Sequence, residues 1–408
     1  MTTLAEAEAC DARDPLRASR ALFRLPAGVI YLDGNSLGPL PQASIAIARD
    51  VVERQWGEGL VRSWNAEAWI GAPQRIGAKI ASLIGAMPHE VIVADSTSIN
   101  LFKLLVAAAR LTPERPKILS ETGNFPTDLY MSGGAASLLP GARVEAVETG
   151  ALIDALDEQT GVLLLTHVHY KSGYRHDMAA MTALAKAAGV RTLWDLSHSV
   201  GAIDLHLNRD GAELAVGCGY KYLNGGPGAP AFLYVAESLQ DRLQSPLTGW
   251  MGHAAPFAFV DGYAPAQGID RFLCGTAPML SLLALEGGVD LAIAADGPAL
   301  RAKSAALFDL FAARMAARCP EFACITPADP AARGSHISYA HDAAWPISQA
   351  LIAHGVIGDF RAPEVLRFGL TPLYLGFADV WNAVEILAGI MASGEWRDPV
   401  YATSAAVT

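Results

Sequence analysis

The apolar positions of the chain fall into two regimes. Between about 90 and 235, short β-rich apolar runs alternate with Ala- and Leu-rich stretches of helical spacing. The runs predict strands over 90–94, 117–120, 143–147, 162–167, 191–194, 214–218 and 231–235. Helices are predicted over 99–111, 151–158 and 178–188. Strands that alternate with helices pair in parallel through crossover connections, which makes an α/β sheet covered on both faces. Ligands of such sheets collect beyond the carboxyl ends of the strands. The residues that follow each predicted strand are therefore the first place to look for chemistry.

The rest of the chain reads as a second domain. After a Pro-, Gly- and aromatic-rich stretch over 245–274, helical spacing runs from 278 to 318 and breaks at Asp296, Gly297 and Pro298. Strand-like runs follow over 336–339 and 365–370, with helices over 346–354 and 379–393. The expected division is an N-terminal segment, 1–50, packing on the small domain, a large domain, 51–270, and a C-terminal small domain, 271–408. No internal repeat or low-complexity linker interrupts this plan.

Composition narrows the function classes. Of the 408 residues, 52% are hydrophobic and 17% charged, which argues against a disordered or fibrous chain. A net charge of −11 without any basic run speaks against nucleic acid as a partner. The most apolar stretch, 277–295, is broken by Glu286, Gly287, Gly288 and Asp290, whereas a bilayer helix needs about 20 nearly uncharged apolar residues. No membrane span is expected. The acidic start lacks the pattern of a secretory signal, so none is expected either. Five scattered cysteines, none in a CxxC pair, fit a reducing cytoplasm better than disulfides or a zinc site. His89, His167, His169 and His253 do not cluster with acids at metal-ligand spacing, so no metal is expected.

Two residues carry the first chemical signal. Asp195, in LWDLSHSVGA, ends an apolar strand; taken alone it reads as a helix cap or turn acid. Lys221, in GCGYKYLNGGPGAPAF, also follows an apolar strand, among small and aromatic neighbours. Lysines are usually solvated charges, but a desolvated one has a lowered pKa and forms a Schiff base with a carbonyl. Together, an acid and a lysine at the ends of strands in one sheet match what pyridoxal phosphate needs. The acid keeps the pyridine nitrogen protonated, and the lysine holds the aldehyde. Ser96, Thr97 and Ser98 fall between a strand and the start of a helix, where N–H groups and hydroxyls suit a phosphate, although taken alone the triplet reads first as an ordinary N-cap. Phe125 offers an aromatic face to cover a ring, or a core residue, and Asp128 follows closely.

These segments lie in a fixed order with others: YLDGNSLGPLP, DSTSINLFKLL, NFPTDLY, THVHYKSGYRHDM, WDLSHSVGA, GYKYLNGGPGAPAF, GWMGH and LRFGLTPLYLGFADV. Over nearly the whole chain the set resembles the kynureninase family, pyridoxal-phosphate enzymes of the aspartate aminotransferase fold type. The resemblance implies fold type I, an α/β large domain with a mostly parallel seven-stranded sheet and a smaller α+β C-terminal domain. It implies that Lys221 holds the cofactor covalently, Asp195 holds the pyridine nitrogen and Phe125 stacks on the ring. Ser96, Thr97 and Tyr220 match phosphate ligands, and Asp128 and His198 match residues against the ring. Trp250, Gly275 and Thr276 match positions that reach the site from the partner subunit of a homodimer. Arg367 matches the arginine that clamps the substrate α-carboxylate; its apolar surroundings independently suit an arginine that meets an anion, be it a substrate or a structural partner. Asn35 and Ser36 match the segment that lines the substrate pocket.

The implied reaction is hydrolysis of L-kynurenine to anthranilate and L-alanine in tryptophan catabolism, a route connected with NAD biosynthesis, with 3-hydroxykynurenine as a further substrate. Tyr220, next to Lys221, is the candidate proton relay. Some family members place a histidine ahead of the first long strand, against the substrate ring. Here no histidine precedes His89, and Trp64 is the nearest aromatic, as in the bacterial branch that favours the unsubstituted ring. The rival reading within the fold type is a cysteine desulfurase or selenocysteine lyase, which needs a reactive cysteine on a mobile loop. Neither Cys274 nor Cys324 sits in a Gly/Ser-rich loop. A non-catalytic regulator is the other rival, and the first 50 residues show no helix-turn-helix pattern.

Overall fold

The computed structural model describes residues 3–403. By its contacts the chain divides into two compact units. One takes the chain up to Ala43, Lys171–Arg175 and everything from Ala294 on; the other takes Ser44–Tyr170 and His176–Ile293. The divisions thus fall at 43 and 294, not at the expected 50 and 270. The reason is that the helices Gln42–Asp50 and Met279–Ala294 pack together in the larger unit, where Ser44 Oγ donates to the Ala284 carbonyl at 3.0 Å.

The larger unit is built on seven strands: β1 (Val91–Val93), β2 (Lys117–Glu121), β3 (Arg143–Val147), β4 (Thr160–Thr166), β5 (Arg191–Asp195), β6 (Leu214–Gly217) and β7 (Phe232–Val235). Their spatial order is β1-β7-β6-β5-β4-β2-β3. β7 runs antiparallel to both its neighbours, and every other pairing is parallel. The sheet is therefore mostly parallel, as expected, and six of its strands end at one edge. Alternate residues along each strand enter opposite buried layers, as the pleat dictates. Val91, Val93, Leu163, Leu165 and Trp194 join one cluster, and Ile92, Val162, Leu164, Leu193 and Val216 join the other.

Helices cover both layers. On one side, α1 (Ala72–Ile84) buries Ile76, Ile80 and Ile84 at a four-residue interval that keeps them on one face. Its Gly77 lies so close to the sheet that a Cβ would come within 2.3 Å of the Val91 carbonyl oxygen, so only glycine fits. On the other side, α2 (Thr97–Ala109) buries Leu101, Leu104 and Leu105. α3 (Pro126–Ser137) and α4 (Met178–Ala187) follow β2 and precede β5. The helix expected over 151–158 does not form. The chain makes one 3-10 turn at Thr149–Ala151, and the Ala155 carbonyl accepts from Lys117 Nζ at 2.8 Å instead of closing a helical turn. Asp157 then caps the entry to β4, accepting from Gln159 N and Thr160 Oγ1.

α5 (Met279–Ala294) and α6 (Gly297–Arg318) are separated where the sequence breaks, with Asp296 accepting from Ala299 N at 3.1 Å as the N-cap. The smaller unit carries an antiparallel sheet of β8 (Ala323–Cys324), β9 (His336–Ala340), β10 (Asp359–Arg361) and β11 (Val365–Gly369) in the order β8-β9-β11-β10. α7 (Ala344–Ala353) and α8 (Phe377–Ser393) complete it with α6. Asp11, in the helix Leu4–Arg13, caps α8 by accepting from Phe377 N at 2.6 Å and Ala378 N at 3.0 Å. Among the described residues, no helix is long and apolar enough to cross a membrane.

The two-layered core makes a stability prediction. Leu164→Ala, within the doubly covered sheet, lowers unfolding stability by about 2–5 kcal/mol in urea titrations, whereas Leu184→Ala on the outer face of α4, 42% exposed, costs about 0.5 kcal/mol or less.

Candidate active site

The carboxyl edge of the large sheet gathers the acids and the lysine. Asp195 closes β5 and stands in register with Thr166, the last residue of β4. It is 3% exposed, and its Oδ1 accepts from Ser197 N at 2.7 Å. Lys221 sits in the loop that joins β6 to β7, with Nζ 3.0 Å from His198 Nε2 and 5.9 Å from the centre of the Phe125 ring. The Tyr220 ring centre is 5.8 Å from the same Nζ. Asp128, in the first turn of α3, is buried. Burial pushes the Asp195 carboxyl up, opposed by the charge of Lys221 and the Ser197 hydrogen bond. Burial, then the charge of Asp195, push Asp128 well above the ordinary carboxylate range. Cys218, three residues before Lys221, is buried and its thiol is pushed up by that burial, the reverse of what a nucleophilic thiol requires.

β1 ends at the same edge, where α2 begins. Ser96 caps α2, its Oγ accepting from Ile99 N at 3.3 Å. Thr97 Oγ1 is buried without a hydrogen-bond partner in the protein. The loop before them is fixed from below: Asp95, at a left-handed φ of 46°, pairs with the buried Lys103, whose Nζ also donates to the Phe272 carbonyl at 2.6 Å. Phe125 precedes α3 and meets Tyr170 edge to face at 5.2 Å, which holds its ring plane. Together these residues can grip a flat molecule that has a basic nitrogen near Asp195, a carbonyl near Lys221 and an anionic group at the start of α2.

Trp250, Gly275 and Thr276 come together in the larger unit, where Met251 N donates to the Cys274 carbonyl at 3.1 Å. All three are exposed, Trp250 by 41%. Trp64 packs edge to face on Trp69 at 5.7 Å and is half-buried. The remaining predicted residues belong to the smaller unit and form their own group. Arg367, on β11, is 1% exposed and pairs with Asp359, which also holds Arg361 at 2.8 Å. Asn35 is fully buried, and both its amide atoms lack a hydrogen-bond partner in the protein. A Cβ on Gly369 would lie 2.4 Å from its Oδ1. Ser36 follows in a turn, donating its N–H to the Asp33 carbonyl at 3.0 Å. Burial, then the charge of Asp359, push the Asp33 carboxyl up to about 8.

Sequence reasoning passed over several residues of this setting. Asn124 and Thr166 tie Asp128 to the sheet, and Tyr170 backs Phe125. Glu121, the last residue of β2, is buried against His176, with Nε2 to carboxylate distances of 3.1 and 3.2 Å. The available signal was position: Glu121 and Thr166 are polar residues that close apolar strands at the ligand edge.

Known proteins resemble this chain at two levels. Solved structures share the fold alone. A cysteine desulfurase from Thermococcus onnurineus NA1 superposes with a TM-score of 0.77 at 18% identity, covering 93% of this chain and 98% of that one. A cystine lyase variant with glycine covalently linked to its PLP cofactor gives 0.80 at 16% identity, covering 90% and 98%. The fold is thus that of the pyridoxal-phosphate enzymes of fold type I. Sequence goes further. Residues 300–387 match the kynureninase C-terminal domain model. Kynureninases from Burkholderia mallei (strain SAVP1) and Pseudomonas fluorescens are 50% and 48% identical over 416 residues, covering 100% of both chains in each case. With that identity sustained from end to end, the chain belongs to the kynureninase family.

Proposed function

We propose that this protein, with pyridoxal 5′-phosphate as its cofactor, cleaves L-kynurenine by hydrolysis between Cβ and Cγ to give anthranilate and L-alanine. Half identity to kynureninases over the full length carries the reaction. The placement of Asp195 and Lys221 at one sheet edge supports the cofactor. The residues present fit the group. Of the two buried acids beside Lys221, Asp195 accepts a backbone N–H, which favours its ionised form and suits it to a protonated ring nitrogen. The buried, unpartnered Thr97 hydroxyl and the start of α2 suit its phosphate. Asp195, Asp128, His198, Phe125, Ser96, Thr97, Tyr220 and Lys221 would hold it.

When bound, pyridoxal phosphate supplies a carbonyl that joins the substrate amine and a ring that withdraws electrons. Lys221 Nζ is the base that moves the proton of the substrate α-carbon. Tyr220 relays the proton that ends on the alanine β-carbon, in keeping with its place beside Lys221. Arg367 offers a planar fork to the α-carboxylate, and Asn35 and Ser36, in the same unit, are substrate-pocket residues. Trp64 is the aromatic candidate for the substrate ring, and the lack of a histidine before His89 favours the unsubstituted ring over 3-hydroxykynurenine. The exposed Trp250, Gly275 and Thr276 serve the active site of a second copy, and exposed Phe257 and Phe259 extend that surface. The buried Cys218 gives no support to a desulfurase reading. Five free cysteines accord with a cytoplasmic setting.

Incubation with L-kynurenine releases anthranilate, read by its fluorescence, and Lys221→Ala lowers the rate by at least about a thousandfold; no anthranilate above that control refutes the reading. Arg367→Gln lowers kcat/KM by roughly 10- to 150-fold, mostly through KM, as loss of a charge-assisted pair of about 1.5–3 kcal/mol requires. Mixing Lys221→Ala protomers with Trp250→Ala protomers restores part of the activity each lacks, and no recovery after subunit exchange argues against shared sites.

A further inference from the structure

The hydrogen bonds behind Asp128 determine where one proton sits. The Phe125 N–H donates to Asn124 Oδ1 at 2.7 Å, which fixes that end of the amide as the acceptor. Asn124 Nδ2 donates to Ser120 Oγ at 3.0 Å, and Ser120 gives its own proton to the Leu164 carbonyl at 2.8 Å. Thr166 Oγ1 lies 2.5 Å from Asn124 Oδ1, an atom that cannot donate, so the threonine hydroxyl donates to it. A hydroxyl has a single proton. The second contact of Thr166 Oγ1, 3.1 Å from Asp128 Oδ2, is then a hydrogen bond only if the carboxyl brings the proton. Ser120, Asn124, Thr166 and Asp128 are each at most 2% exposed, so solvent does not relieve the arrangement.

We propose that Asp128 is held as the neutral acid, its proton on Oδ2 and donated to Thr166, and that Asn124 and Thr166 are positioning residues that select it over Asp195 for protonation. The surrounding charges agree. Asp195 and Lys221 are the charged groups that act on Asp128, and His198 sits against Lys221. Burial together with the charge of Asp195 outweighs the Thr166 contact and the charge of Lys221, which both act the other way. Asp195 has the opposite setting, since its Oδ1 accepts a backbone N–H, a bond that favours the ionised form. The place of the proton rests on this geometry alone. Its consequence rests on the cofactor reading above: Asp195 is the single negative charge opposite the ring nitrogen, and Asp128 Oδ1, buried without a partner in the protein, is a neutral acceptor.

Infrared spectra of the holoenzyme at neutral pH test the assignment. The difference between wild type and Asp128→Asn shows the carbonyl stretch of a protonated carboxyl; differencing removes the contribution of Asp33. The band persists in Asp195→Asn. Thr166→Val, which keeps the side-chain shape but removes the acceptor, shifts it to higher frequency and serves if Asp128→Asn does not fold. Absence of the band from the difference spectrum, or its indifference to Thr166→Val, overturns the proposal. Titration with pyridoxal phosphate gives a second reading: Asp195→Asn weakens binding at least about tenfold more than Asp128→Asn, and the reverse order overturns the division of roles. Loss of anthranilate formation with the band intact would refute the proposed reaction and leave this assignment standing.

Discussion

A carboxylate taken out of water needs a cation or a proton, and the large sheet takes two of them to one place with one lysine nearby. Much of the site follows from that constraint. The sheet ends Asp195 at the level of Thr166, and Thr166 reaches Asp128. Lys221 stands close enough to act on both acids but cannot neutralise both. A ring with a basic nitrogen relieves one carboxylate, and a proton relieves the other. The same accounting holds below the loop before α2, where buried Lys103 is matched by Asp95 and a carbonyl.

The acid, the lysine and the hydroxyls at the start of α2 were legible in the sequence because each follows an apolar run, and strand direction alone sends them to the ligand edge. The split between α5 and α6 was legible because Asp296 and Pro298 act locally, through a cap and a fixed φ. The helix expected over 151–158 failed for a non-local reason: Lys117, distant in sequence, takes the carbonyl a helix would have used. α1 went unread although its isoleucines recur every four residues. Asn124 and Thr166 were not legible at all. Each is an ordinary neutral side chain whose meaning lies in which atom donates, and that depends on two strands meeting the turn before α3.

The smaller unit repeats the logic with the opposite sign. Arg367 is buried as completely as Asp195, and Asp359 answers its charge while Asp33 is driven toward the neutral form. An arginine already matched by a carboxylate is kept in a fixed orientation, so a second carboxylate meets a fork that needs little reorganisation. The sequence pointed to this arginine through its apolar neighbours, but its acidic partners come from β10 and from the segment after Leu32, which no spacing rule connects.

The reversed direction of β7 has a consequence for how the chain is made. Because β7 returns from the ligand edge, the loop with Lys221 starts and ends there, anchored on one side by β6 and on the other by β1. The pairing of Phe232 with Val93 closes a loop of about 140 residues, the kind of distant contact that forms slowly. A growing chain on the ribosome exposes Ser96 long before it has a strand to hold the lysine in place. Ordering of the cofactor pocket is thus among the last events in folding of the larger unit, and a nascent chain cannot load its prosthetic group until β7 has been synthesised and inserted beside β1.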